Sequence, residues 1–277
     1  MFDLILDPQL QHAINRAILL WALISARLLP IVQLTPYLGG KATPQSVKMA
    51  LTIALTALVY PVIWSTGSAD QLPDGAFNLS MLLFKELFLG VLFGFVAALV
   101  FDSVRVAGQI IDNARGQTQS MSFAPQLPER ISVTGNYLYQ LAIVLFLLIG
   151  GHRLMLTAIV HSFASIPPHV MPNLGDQLAS IPYGVIRLSA DAITLGVLLA
   201  FPVLATILLM DLCLALINRA APQINVFFLG MPIKSMLGIL VLLLTLHTFS
   251  DHVLDEAING IYFLEQVMNS SQQGGAP

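Results

Sequence analysis

The sequence predicts an all-α chain built from helices of membrane length, and three observations carry that prediction. Of the 277 residues, 56% are apolar and only 10% are charged, far fewer charges than the roughly 25% of soluble domains. The mean hydropathy is +0.81, in the range of chains that live in or near a bilayer. Charge-free runs of helical length recur, such as Ala192 to Met210 between Asp191 and Asp211, and Ser235 to Ser250 between Lys234 and Asp251. Charges and prolines also interrupt several of the other runs, which is expensive against lipid. The expected class is therefore a hydrophobic helical subunit of a membrane-derived assembly, many of whose helices pack on protein.

Other classes are poorly supported. The net charge of −3 gives no nucleic-acid footprint. The single cysteine, Cys213, lies in an apolar run and provides neither a disulfide framework nor a metal cluster. His247 and His252 flank Asp251, but a spacing of five does not put both on one helical face. No His-Glu-x-x-His or Gly-x-Ser-x-Gly occurs, so neither an enzyme nor a bound metal or cofactor is expected.

From the amino terminus, Asp3 and Asp7 stand where a secretory signal would carry basic residues. Phe2 to Leu10 reads as a short amphipathic piece broken at Pro8, followed by a long helix from Ala13 to Leu34. Arg16 and Arg27 on that helix either snorkel or pack against protein, and the second is preferred. Thr35 to Val47 reads as a polar loop. Its Gly39-Gly40-Lys41 lacks the earlier glycine and following Ser or Thr of a phosphate loop. Lys48 to Thr66 is the second helix and Met81 to Phe101 the third. The third carries Lys85 and Glu86 near its start, and its Gly90-x-x-x-Gly94 permits close backbone approach.

Asp102, Arg105, Gln109, Asp112 and Arg115 follow at spacings of three or four and line one helical face, solvated or otherwise. Met121-Ser122-Phe123-Ala124-Pro125-Gln126-Leu127 cannot continue a helix past its proline and reads as a loop. Thr134 to Gly150 is a fourth apolar segment, and Leu154 to Ile166 is too short to span. Leu188 to Leu216 as a straight helix would run roughly 44 Å, so it must tilt, bend or project, with Pro202 a candidate kink. A helical hairpin turns near Pro222 and Gln223, placing Asp211 and Lys234 at nearly equal distances from the turn. They either pair across it or snorkel to separate surfaces. An amphipathic helix from Leu254 to Met268 and a polar tail, Asn269 to Pro277, complete the chain.

The stretch Asn218-Arg219-x-x-Pro222-Gln223-x-x-x-Phe227-x-x-Gly230-x-Pro232 resembles the signature of the FliR/SctT family, the R/T subunit of the type III secretion export apparatus. Gln223-Ile224-Asn225 with Pro232-Ile233-Lys234 also resembles the small Q/S subunit of that apparatus. Asp112-x-x-Arg115-Gly116-x-Thr118 is similar to the pattern of its injectisome branch, and Gly151-His152 to a pair in the family. The resemblance covers nearly the whole chain. It implies a P-like helical part over 1–180 and a Q-like hairpin over 181–277.

The resemblance further implies a non-enzymatic export-gate subunit of the bacterial inner membrane, at the basal body of a secretion system. Its partners would be P/R-like and Q/S-like subunits, a switch protein, the large export-gate subunit, membrane lipid and unfolded secreted proteins, with no nucleic acid. Met121 to Leu127 would plug the closed channel. Asn218, Arg219, Pro222, Gln223, Asn225, Pro232 and Lys234 would form a polar turn between subunits. A polytopic secondary transporter is the alternative reading, although no internal repeat supports it.

Overall fold

The computed structural model describes residues 8–40, 43–65, 67–68, 72–73, 75–116, 132–171 and 177–273. Every regular element among them is helical: α1 Pro8–Leu34, α2 Pro36–Gly39, α3 Gln45–Trp64, α4 Ala76–Ala114, α5 Val133–Leu148, α6 Gly151–Ser165, α7 Gln177–Ala220 and α8 Val226–Gln273. The all-α expectation holds. Five of these helices are long and apolar enough to cross a membrane, or six if α5 and α6 count together as one broken span.

The chain divides into two compact units. The first comprises residues 1–98, 150–186 and 259–277, and the second residues 99–149 and 187–258. In the first unit, α1 contributes Leu20, Leu23, Ile24, Leu28, Ile31 and Val32, each almost wholly buried. Gly90 and Gly94 let α4 approach α1 closely. A Cβ on Gly90 would stand 2.2 Å from the Arg27 carbonyl oxygen, and one on Gly94 3.0 Å from that of Pro30. The Gly-x-x-x-Gly is therefore a packing surface in this fold.

In the second unit the equivalent contact lies between α4 and α5. A Cβ on Gly108 would stand 2.2 Å from the Gly135 Cα, so the two backbones touch there. Around it, Phe101 meets Tyr139 and Phe146 edge-on, with ring centroids 6.5 and 5.4 Å apart. Such edge-to-face pairs favour one mutual orientation of the rings beyond simple area burial.

Several local expectations are corrected. α1 already includes Pro8, ahead of the expected start at Ala13, and Phe2 to Asp7 of the expected amphipathic piece lie outside the described residues. The loop expected over Thr35 to Val47 contains α2, one turn entered at Pro36. The apolar third segment and the charged stretch after it are one 39-residue helix, α4. No proline separates them, and Gly108 is held by packing. The polar tail does not begin at Asn269, since α8 continues to Gln273. Gly150, at φ +79°, supplies the left-handed residue that ends α5 and allows α6 to start afresh.

Candidate functional site

The end of α4 and the α7–α8 turn, both in the second unit, enclose a cleft of about 830 Å³. It is lined by Arg115, Gly116, Asp211, Asn218, Pro222, Gln223, Asn225 and Lys234, among others. Two motifs separated by a hundred residues in sequence thus meet at one place. The turn itself runs over 221–225. The Ala221 N–H donates to the Ile217 carbonyl at 2.8 Å to close α7, and the Ile224 N–H donates to the Ala221 carbonyl at 3.1 Å. Asn225 then caps α8, its Oδ1 accepting from the Phe228 N–H at 3.4 Å. Lys234 and Asp211 form an ion pair across the hairpin. The pairing alternative is the one realised, with the two side chains 23% and 46% exposed.

Arg115 and Asp112 organise the base of the cleft. Asp112 is buried, and its Oδ2 accepts from the Ser132 hydroxyl at 2.7 Å and the Thr134 N–H at 3.0 Å. Arg115 Nη1 donates to Asp112 Oδ1 at 3.3 Å and to the Thr134 hydroxyl at 3.0 Å. Its Nη2 donates to the Ser235 hydroxyl of α8 at 2.8 Å. The aliphatic part of Arg115 lies over Gly238, where a Cβ would come within 2.8 Å of Cδ. One carboxylate and one guanidinium therefore join α4, the start of α5 and α8. Ser132 serves twice, since its hydroxyl oxygen also accepts from the Gly135 N–H at 2.8 Å and caps α5. The charged α4 face is accordingly mixed, with Asp102 exposed and Asp112 buried.

The remaining sequence-derived candidates fall elsewhere. Met121, Ser122, Phe123, Ala124, Pro125, Gln126 and Leu127 lie outside the described residues. Pro232 sits inside α8. Gly151 and His152 open α6 in the first unit. The Nδ1 of His152 is buried and meets no hydrogen-bond partner among the described residues. Arg219 is exposed at the end of α7.

A second polar centre, in the first unit, shows how charges are accommodated inside so apolar a chain. Arg27 uses all five of its N–H donors. Nε and Nη2 reach the two Glu86 oxygens at 2.5 and 2.9 Å. Nη1 reaches the Ser162 carbonyl at 2.9 Å and its hydroxyl at 3.1 Å, while Nη2 also reaches the Ile166 carbonyl at 2.8 Å. Lys85 Nζ contacts Glu86 at 2.8 Å and donates to the carbonyls of Pro167, Pro168 and Val170 at 2.9, 3.2 and 2.9 Å. The last carbonyls of a helix lack internal partners. Here two cations from α1 and α4 satisfy those at and beyond the end of α6 and complement its dipole.

Arg27, Lys85 and Glu86 are conspicuous in the sequence as charges in apolar helices, but the pairing of Arg27 with Glu86 across 59 residues is a product of tertiary packing. Arg27 does pack against protein, as preferred, with its guanidinium also stacked 4.1 Å from the Phe163 ring centre. Just beyond this cluster, burial and then the Lys85 charge hold the His169 imidazole below its usual pKa.

The profile of the family described as "Bacterial export proteins, family 1" matches residues 18–259. The chain is 31% identical to "Yop proteins translocation protein T" of Yersinia pestis over 233 residues, covering 83% of this chain and 87% of that protein. It is 28% identical to "Flagellar biosynthetic protein FliR" of Escherichia coli K12 over 243 residues, 86% of this chain and 89% of the relative. It is also 28% identical to "Secretion system apparatus protein SsaT" of Salmonella typhimurium over 245 residues, 88% and 93% of the two chains. These relatives come from flagellar and secretion systems alike. With the family profile matched over most of its length, the chain belongs to bacterial export proteins family 1, the FliR/SctT family.

Proposed function

We propose that this chain is a non-enzymatic subunit of a type III secretion export gate of the injectisome type. It forms part of the channel through which unfolded protein substrates cross the bacterial inner membrane. The similarity to FliR, the Yop translocation protein T and SsaT over more than four fifths of the chain supports a role in a protein-export apparatus. The Asp112-x-x-Arg115-Gly116-x-Thr118 pattern favours the injectisome branch.

The observation that carries the channel reading is the Asp112 clamp. Asp112, four residues before Gly116, holds Ser132 and Thr134, so the described residues on either side of 117–131 are joined at one carboxylate. A segment between joined flanks that bears Met121, Phe123 and Pro125 suits a compliant seal, because such side chains close a passage without rigid geometry. Met121 to Leu127 would serve as that seal.

The exposed apolar faces of the hairpin support contact with sister subunits. Phe201, Leu208, Leu212, Phe228, Met236 and Leu244 are each more than half exposed, which is far from the pattern of a finished surface in water. We assign P/R-like, Q/S-like and switch-protein partners to those faces, and a polar inter-subunit contact to Asn218, Arg219 and Gln223. The P-like part would cover 1–180 and the Q-like hairpin 181–277.

Deleting Phe123 to Leu127 tests this reading. The assembled complex should form at normal yield while its membrane becomes permeable to small ions. Normal yield with an unchanged ion barrier would remove the plug role.

A further inference from the structure

The exposed side chains of α4 change character partway along the helix. Between 81 and 98 every exposed residue is large and apolar, Phe84, Phe88 and Phe95 among them. Between 99 and 114 the exposed residues are Asp102, Gln109 and Asn113. At 3.6 residues per turn these three fall within about 40° of one another, in a line roughly 17 Å long. Arg105 flanks the line, donating from Nη1 to Asp102 Oδ1 at 3.2 Å. Its guanidinium lies 3.9 Å from the ring centre of Tyr139 on α5. Beyond Tyr139, on the same side of α5, Asn136 and Gln140 are exposed. The Gly108–Gly135 backbone contact holds the two helices together at this place. The result is one polar stripe across α4 and α5, within the second unit.

The stripe fits water better than lipid or a protein partner. Carboxylates and carboxamides are costly against acyl chains. Its exposed members include no aliphatic or aromatic side chain of the kind that anchors the centre of a protein interface. The flanking faces do expose such side chains: Val144, Leu147 and Leu148 on α5, and Ile193, Val197 and Phe201 on α7. Helices bathed in bulk solvent would be polar on those faces as well. A single polar stripe between apolar faces is instead the pattern of a wall along a water-filled passage.

The chemistry of the stripe also suits one kind of cargo. Asp102 and Arg105 offset each other's charge. Gln109, Asn113, Asn136 and Gln140 are carboxamides, which both donate and accept. They therefore match a peptide group and accommodate a main chain of any sequence. At Asn113 the stripe reaches the cleft that Asn218, Gln223 and Asn225 also line, so the carboxamide surface continues to the α7–α8 turn. We propose that this stripe is the wetted wall of the export passage, where the main chain of an unfolded polypeptide in transit hydrogen-bonds to Gln109, Asn113, Asn136 and Gln140. The assignment rests on the export reading above and adds the face of this chain that the cargo meets.

The test uses the full chain in its own membranes, with its neighbouring genes intact and Cys213→Ser as background. Single substitutions Gln109→Cys, Asn136→Cys and Gln140→Cys are compared with Phe88→Cys and Leu147→Cys on apolar faces. A charged, membrane-impermeant methanethiosulfonate should modify the three stripe positions at least about tenfold faster than the two controls, because the reactive species is a thiolate in water. A secreted protein stalled by a folded carboxy-terminal fusion should protect those positions. Cysteines placed in that stalled protein should form disulfides with them under mild oxidation. Three positions are used so that a variant that fails to accumulate leaves the others to decide. Modification no faster than at the controls would overturn the proposal. So would fast modification that a stalled protein leaves unchanged, which would mean bulk solvent. Disulfides formed with a sister subunit instead would mean that protein covers the stripe, and would overturn it too. Secretion that survives deletion of this chain would overturn the export reading and the proposal with it, whereas the labelling outcomes strike the proposal alone.

Discussion

Arg27 and Glu86 lie side by side with no solvent exposure, Nε 2.5 Å from one carboxylate oxygen and Nη2 2.9 Å from the other. A buried pair of this kind gains little over an apolar replacement, but breaking it leaves an unpaired charge in a low-dielectric site. Glu86→Gln would strand both Arg27 and Lys85 and should cost about 3–5 kcal/mol. The triple variant Arg27→Met, Lys85→Met, Glu86→Met should recover part of that loss. Thermal unfolding of the detergent-solubilised chain measures both.

Backbone contact between α1 and α4 predicts a graded response to added methyl groups. Gly90→Ala places a carbon 2.2 Å from a main-chain oxygen, whereas Gly94→Ala meets its nearest atoms at 3.0 Å. Overpacking typically costs about 1–3 kcal/mol. Gly90→Ala should sit at or above the top of that range and Gly94→Ala near its bottom, as judged by folded yield and melting temperature. An equal effect from both would contradict the packing described.

The part-exposed Lys234–Asp211 pair should contribute little to stability, about 0.2–1 kcal/mol. Its value lies in register. Lys234→Asp alone should lower the yield of assembled complex, and the exchange Lys234→Asp with Asp211→Lys should restore it. Both variants should melt close to the parent chain.

The sign of one pH effect follows from His169. Its folded-state pKa is held below the usual 6.5 by burial and by Lys85, so the unfolded chain takes up the proton first. The stability tied to the neutral imidazole is complete above the unfolded value and is lost as pH falls through the lower folded one. Unfolding curves near about pH 7.5 and pH 5.5 should therefore separate more for the parent chain than for His169→Gln.

Much of this architecture was legible in the sequence because apolar runs and charged fences define helices by length alone. The α7–α8 turn was readable for the same reason: Pro222 and Gln223 interrupt two charge-free runs, and α7 ends at Ala220. The merging of α4 was not readable, because a run of charges mimics the end of an apolar segment while the backbone continues. Nor could sequence show that Arg115 and Gly116 share a cleft with Asn218 and Gln223, since that meeting depends on tertiary packing. The Arg27–Glu86 pair was hidden likewise. Each residue was conspicuous as a charge in an apolar helix, but nothing local names its partner.

The Asp112 clamp gives a prediction distinct from that for the turn. Asp112→Asn turns an acceptor for Ser132 and Thr134 into a group that is half donor. It should raise the ion permeability of the assembled complex, as deletion of Phe123 to Leu127 does. Arg219→Ala, at the exposed end of α7, should instead lower complex yield. Conductance across reconstituted bilayers separates the two. An unchanged yield with Arg219→Ala would remove the inter-subunit role of that residue.

Co-purification addresses the export-gate reading most directly. The tagged chain is expressed with its neighbouring open reading frames and extracted from membranes in mild detergent. The account predicts a large complex holding this chain with two smaller hydrophobic proteins in unequal numbers. Recovery of the chain alone, as a stable monomer or a symmetric homodimer, would contradict it.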